Sequence, residues 1–412
     1  MTRTVITGLG AVTPIGNSVD DYWRNLTAGV SGIGPITQFD PQGLGSRIAA
    51  EVNGFDPLQY MDTRTFRRTA RFTQFAIACA RQALDDSGLQ IDDANRDSIA
   101  VVMNTGGGGI LDTAEGERVL LEKGSDRVSP FLVPILAANM ASCQVAMENG
   151  IGGPAITSAA ACASGVYSFV EAKQLLDLGM ADAVIAGGTD ANLHPLAFAA
   201  FDNMRALSRR NEEPEKACRP FDLERDGFVF GEGAAGMILE TLEHAQARGA
   251  NIYAELCGGA MTSDAYHITA PEPTGAAAAR AIRQALKIAG VEPESLDLVV
   301  AHGTGTQLND AAETRAIKTA LGEAAYRVAV TSPKSMVGHL LGGAGLVSGL
   351  AAVLAIRDGV IPPTINLETP DPECDLDYVP LKARRAEVNV AMINGFGFGG
   401  QNASVVFKRF QP

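Results

Sequence analysis

The chain has 412 residues, 46% of them hydrophobic and 19% charged, with 33 basic against 47 acidic side chains and a formal net charge of −14. That length exceeds what one core ordinarily serves, so two units are expected, over residues 1–250 and 251–412. The acidic balance argues against general nucleic-acid binding, which needs a basic face, and the lack of any run of ~18 uninterrupted apolar residues argues against a membrane span.

The opening "MTRTVITGLGAVTPIG" has no basic stretch leading into an apolar one. From there, predicted strands and helices alternate. The spacing of apolar residues near 3.6 predicts a helix over 69–88, "TARFTQFAIACARQALDDSG". A strand, "IAVVM" (99–103), runs into "MNTGGGGI" (103–110), which lacks the GxxxxGK[ST] spacing of a phosphate loop. "ITSAAACASGVYSF" (156–169) reads as an extended piece, a turn of small residues and a helix. A strand at 182–187 and a helix at 274–290 follow. Strands at 297–301, 327–332 and 388–393 then lead into "AHGTGT", "KSMVGH" and "NGFGFGGQN", with a helix over 345–359 after the second. Strands that are apolar without alternation are buried on both faces, which places the chain in the α/β class with layered sheets. The strand, polar turn and small-residue helix around 327–359 echo those around 156–177 and suggest two similar halves.

The six cysteines (79, 143, 162, 218, 257 and 374) form neither CxxC pairs nor zinc spacings with histidine. Free thiols, no metal and a cytoplasmic location are therefore expected. Cys162 falls at a predicted strand-to-helix turn, where the helix dipole and free N–H groups favour a thiolate and can also receive an oxyanion. His302 follows one buried strand, and Lys334 and His339 follow another. A lone buried cysteine or histidine is ordinarily structural. Such residues at the ends of three strands instead point to a site, because α/β sheets gather ligands at strand ends.

In this combination the chain resembles the β-ketoacyl-acyl-carrier-protein synthases of thiolase fold, in particular the elongating class. The matching motifs occur in order: "AACASG", "RPFDLERDGFVFGEGA" (219–234), "TSDAYHITAPEP" (262–273), "AHGTGTQLNDAAE" (301–313), "KSMVGHLLGGAG" (334–345) and "NGFGFGG" (394–400). The resemblance implies a thiolase-like fold of two similar halves in an α-β-α-β-α arrangement. It implies that Cys162 carries the acyl chain and that His302 and His339 stabilise an enolate formed from malonyl-carrier protein. Lys334 orients the histidines with Glu313 as its carboxylate neighbour, Asp310 ranking lower. By the same resemblance the N–H groups of Cys162 and Phe398 would form an oxyanion hole, and Phe398 would also be the gate. Thr269, Thr304, Thr306 and Phe396 match positions along the pantetheine tunnel, and Gly107 falls where relatives carry a bulky residue facing the acyl pocket.

The implied partner is an acidic acyl carrier protein. It brings its own phosphopantetheine, so no tightly bound cofactor is expected. Arg64, Arg67, Arg68, Arg127 and Arg205 are the matching docking residues, and Arg71 extends the cluster. A homodimer is expected, or a heterodimer with a chain-length-factor-like subunit if the chain is the ketosynthase of a type II polyketide system, the alternative reading. Departures from the common pattern are Ala160, Ser348 and Gln401, where threonine, glutamate and threonine are usual.

Overall fold

The computed structural model describes residues 2–412. Ten strands form the main sheet. The first half of the chain gives β1 (Thr4–Val12), β2 (Ile99–Asn104), β3 (Ala155–Ile156), β4 (Ala183–Asp190) and β5 (Gly233–Thr241). The second half gives β6 (Ala254–Ser263), β7 (Leu298–Val300), β8 (Ala329–Thr331), β9 (Val390–Gly397) and β10 (Gln401–Lys408). Their order, β8-β7-β9-β10-β6-β1-β5-β4-β2-β3, is one five-strand pattern written twice. In the first half β1–β5 and β5–β4 are antiparallel, while β4–β2 and β2–β3 are parallel. The second half repeats these directions strand for strand. Only a short antiparallel seam, Thr4–Ile6 against Ala254–Leu256, joins the two.

Six helices complete the layers: α1 (Arg71–Ser87), α2 (Met140–Asn149), α3 (Ser164–Asp177), α4 (Ala276–Ala289), α5 (Gln307–Leu321) and α6 (Ala344–Asp358). α1 and α2 cover the outer face of the first half, α4 with α5 the outer face of the second, and α3 and α6 pack against strands of both. The arrangement is the α-β-α-β-α thiolase-like fold. The periodic stretches 69–88, 274–290 and 345–359 become α1, α4 and α6 within two residues at each end.

The central layer explains the composition of its helices. From Ala344 to Ile356 every residue of α6 is buried, as expected of a helix apolar on all sides. Leu341–Asp358 is long and apolar enough to cross a membrane, yet 83% of it is buried inside the protein. Where α3 and α6 cross, a side chain on Gly165 would lie 2.6 Å from the carbonyl oxygen of Gly342, and one on Gly345 would lie 2.4 Å from the amide of Val166. Both helices begin through a three-residue 3₁₀ turn, Ala161–Ala163 and Leu341–Gly343.

Candidate active site

Turns from both halves meet at one cavity of about 690 Å³. Cys162 reaches it from the turn before α3, His302 from the end of β7, His339 from the turn before α6, and Phe396 and Phe398 from the end of β9. The chain thus brings together residues separated by up to 236 positions, because the two halves of the sheet present their strand ends to the same central space.

Cys162 is half-buried and faces the cavity. The backbone N–H groups of Cys162 itself and of Phe398 reach its sulfur. Burial pushes the thiol up to about 12, against an opposing pull from Lys334, while Asp190 adds to the rise. The expected thiolate is therefore corrected to a thiol in the resting protein. Dehydration outweighs the ammonium and the two backbone N–H groups together.

The rings of His302 and His339 stand 5.5 Å apart between centroids, nearly perpendicular at 84°. Burial, reinforced by Lys334, holds both well below the usual histidine range. Each is a neutral imidazole with one N–H to offer. Nδ1 of His339 is buried without a hydrogen-bond partner among the described residues, and the ring is held edge-on by Phe228 at 5.2 Å.

Lys334 lies behind the cavity wall rather than in it, and its ammonium donates to the backbone carbonyl of His302. Burial lowers its pKa to about 8, with Glu313 and Cys162 pulling the other way. Glu313 lines the cavity and spends its oxygens on the backbone of the His302 turn, accepting from the N–H of His302 and of Gly303, both at 2.8 Å. It neighbours Lys334 electrostatically, but no hydrogen bond links the two among the described residues. Asp310 accepts from the N–H of Phe221 at 2.8 Å and of Thr304 at 3.1 Å and faces Arg225 at 3.6 Å. Its place is in holding the loop that carries Thr304.

Thr269, Thr304 and Thr306 line the cavity, and the last two hydroxyls are 3.1 Å apart. Gly107 does not line it; Gly106 does. The amide nitrogen of Asn192 lies 2.5 Å from where a side chain on Gly107 would begin, and the Gly107 N–H turns to Asp190 at 3.1 Å. The assignment of Gly107 to the acyl pocket is corrected to its neighbour for that reason.

Of the proposed docking arginines only Arg205 lines the cavity. Arg64, Arg67 and Arg127 are exposed away from it, and the Arg68 guanidinium lies over the Phe131 ring at 4.4 Å, which brings the segments around 64–68 and 127–131 side by side. Arg71 is half-buried and paired with buried Glu232 at 2.8 Å. Gln401 accepts from the Tyr167 hydroxyl at 2.6 Å, tying β10 to α3. Ser348 is buried in α6. Sequence reasoning missed Phe201, Phe228 and Leu341, which give the cavity its apolar wall. Phe228 and Leu341 lie within the motifs 219–234 and 334–345, but an apolar side chain in a motif reads the same whether it lines a cavity or fills the core.

A layered fold with a cysteine, two neutral histidines and a buried lysine at one cavity defines the condensing class of thiolase-like enzymes. A model of the beta-ketoacyl synthase N-terminal domain matches residues 1–245, and a model of the C-terminal domain matches residues 253–368. The chain belongs to the beta-ketoacyl synthase family, an acyltransferase family. It is 51% identical over 409 residues to 3-oxoacyl-[acyl-carrier-protein] synthase 2 of Synechocystis, covering 99% of this chain and 98% of that protein. The protein of the same name from Coxiella burnetii is 47% identical over 407 residues, with the same coverage. Among solved structures, the ishigamide ketosynthase/chain length factor superposes with a TM-score of 0.94 at 38% identity, both chains covered fully. A type II polyketide ketosynthase in complex with its acyl carrier protein superposes at 0.91 and 35% identity, again with full coverage of both.

Proposed function

We propose that this protein is a chain-elongating 3-oxoacyl-acyl-carrier-protein synthase. It condenses an acyl group held on Cys162 with malonyl-carrier protein, with loss of CO2. The observation that carries this reading is the placing of one thiol, two backbone N–H donors and two neutral imidazoles around a single cavity.

In the first half-reaction Cys162 sulfur attacks the acyl thioester, its proton leaves with the carrier's thiol, and the acyl group is held covalently. The malonyl thioester then enters and loses CO2. The negative charge that develops on its carbonyl oxygen is met by N–H groups of His302 and His339, neutral donors in a dry site. The α-carbon attacks the acyl carbonyl. The N–H groups of Cys162 and Phe398 receive the tetrahedral oxyanion, and collapse returns the Cys162 thiolate, which regains a proton from water. The product is longer by two carbons. Lys334 fixes the His302 turn through its carbonyl and adds positive potential. Phosphopantetheine arrives on the carrier, so the protein itself needs no resident cofactor.

Supporting the fatty-acid reading over the polyketide one is the higher identity to the synthase 2 relatives. The polyketide structures align at lower identity. Docking of an acidic carrier is proposed at Arg205 and at the patch of Arg64, Arg67, Arg68 and Arg127, set on a protein of net charge −14. A homodimer is proposed from the free edge of β3 and from exposed apolar side chains of the same half, Ile110, Leu121 and Val133, at 65%, 78% and 72%. The deciding experiment incubates the protein with acyl-carrier and malonyl-carrier proteins and follows both by intact mass. An acyl adduct on the wild-type chain and a β-ketoacyl product are expected. A chain that neither acylates nor releases CO2 would refute the reading.

A further inference from the structure

The entries to the two central helices repeat each other, and the second has a glycine where the first has the thiol. Cys162 and Gly342 are each the middle residue of the 3₁₀ turn. The amide of Gly342 donates to the carboxylate of Asp190 at 2.6 Å. Asp190 ends β4 and is fully buried. It accepts four further hydrogen bonds: from the N–H of Gly106 at 2.8 Å and of Gly107 at 3.1 Å, the Thr105 hydroxyl at 2.8 Å and the Asn192 amide at 2.7 Å.

All five partners are neutral donors. A protonated acid would have to aim its own O–H at one of them, so the carboxylate form fits the cradle. Burial pushes the Asp190 carboxyl up from its ordinary value, and the hydrogen bonds from Gly106, Thr105, Gly342 and Gly107 pull the other way; it is the geometry of five converging donors that suits the carboxylate. Gly106 is the link to the chemistry. It lines the cavity, and a side chain on it would meet Asp190 at 2.9 Å and the Ala161 carbonyl oxygen at 3.2 Å.

We propose that Asp190 is a positioning residue for acyl transfer: by gathering Gly106 and Gly342 onto one carboxylate it fixes the backbone wall behind the Ala161–Cys162 turn, and with it the place of the acyl chain. The same carboxylate takes up the Gly342 N–H of the second helix entry, the counterpart of the Cys162 N–H in the first. The inference rests on the condensing-enzyme reading.

Asp190→Asn sets an amide NH2 against N–H donors and loosens the Gly106 turn. Acylation is measured as the rate of adduct formation from acyl-carrier protein. CO2 release from malonyl-carrier protein is measured separately in a Cys162→Ala background, where no acyl transfer precedes it. The expected result is acylation slower by about tenfold or more, with CO2 release within about twofold of the parent. Acylation at the wild-type rate, or equal losses in both reactions, would overturn the proposal in favour of a general structural role. If Asp190→Asn does not fold, Asn192→Ala removes one donor and keeps the charge. A loss of about threefold confined to acylation is then expected, and unchanged acylation overturns the proposal. Failure of the wild-type chain itself to acylate would instead remove the reading on which the inference stands.

Discussion

Ala161 and Leu341 open matching turns, with φ of 48° and 47°, yet what lies before them differs. In the first half the turn faces a cavity, and the residue after it carries a thiol. In the second half the turn gives the cavity only the Leu341 side chain; its Gly342 N–H turns to a buried carboxylate, and Gly342 has no side chain at all. Free N–H groups at a helix entry are common to both, so they do not by themselves make a reactive site. What separates the two is open space in front of the N–H groups and a group of the opposite half positioned across it. The first turn has Phe398 and the two histidines opposite; the second has Asp190. The thiol's own pKa teaches the same lesson, because burial, not the nearby N–H groups, sets its direction.

The largest effect that tests this contrast is at the reactive turn. Cys162→Ala abolishes the acyl-enzyme completely, and an acylated alanine variant in the mass spectrum would move the nucleophile elsewhere. His302→Ala or His339→Ala slows CO2 release by about a hundredfold or more while Cys162 still acylates; undiminished release would remove the imidazoles from the enolate step. At the silent turn the expected loss is in stability. Gly342→Ala places a methyl group 2.4 Å from the Gly106 amide and 2.7 Å from the Asp190 carboxylate, which costs about 3 kcal/mol, whereas Cys162→Ala leaves the Tm nearly unchanged. Equal Tm values for the two variants would end the comparison.

Next is pH. With Lys334 at about 8, the ammonium is present below that value and is lost as pH rises through it. The histidines, lying below their usual range, stay neutral across the same window. CO2 release therefore declines above pH ~8 with a single alkaline limb, and a flat profile to pH 10 would exclude the ammonium from the electrostatics of the step. The smallest effect is at the mouth: Arg205→Glu raises the KM for carrier protein a few-fold with kcat preserved, the more so at low salt. An unchanged KM would place the docking patch elsewhere.

The sequence carried most of the architecture, because buried parallel strands and 3.6-residue periodicity are local signals. The resemblance between "SAAACASG" and "GHLLGGAG" read as a faint repeat, and it corresponds to Cys162 and Gly342 in equivalent turns. Cys162, His302, Lys334 and His339 were legible as strand-end residues. Other features depended on three-dimensional neighbours. Gly106 and Gly107 are indistinguishable in a run of four glycines, and only the position of Asn192 assigns one to the wall. Asp190 lies beyond the strand expected at 182–187 and carried no signal, since nothing local announces five converging donors. The rise in the thiol's pKa comes from the bulk of protein around it, which no motif encodes.

The crossing of α3 and α6 has a consequence for how the chain comes into being. Gly165 and Gly345 touch backbone to backbone, yet 180 residues separate them. At ~5–20 residues per second on the ribosome, that gap takes roughly 10–35 s to translate. For that interval the nascent first half holds α3 with one face unpartnered and the thiol without its histidines. The condensing centre does not exist in any fragment of the chain. It appears only when α6 slides in beside α3, so the protein gains its reactivity at the moment it finishes folding.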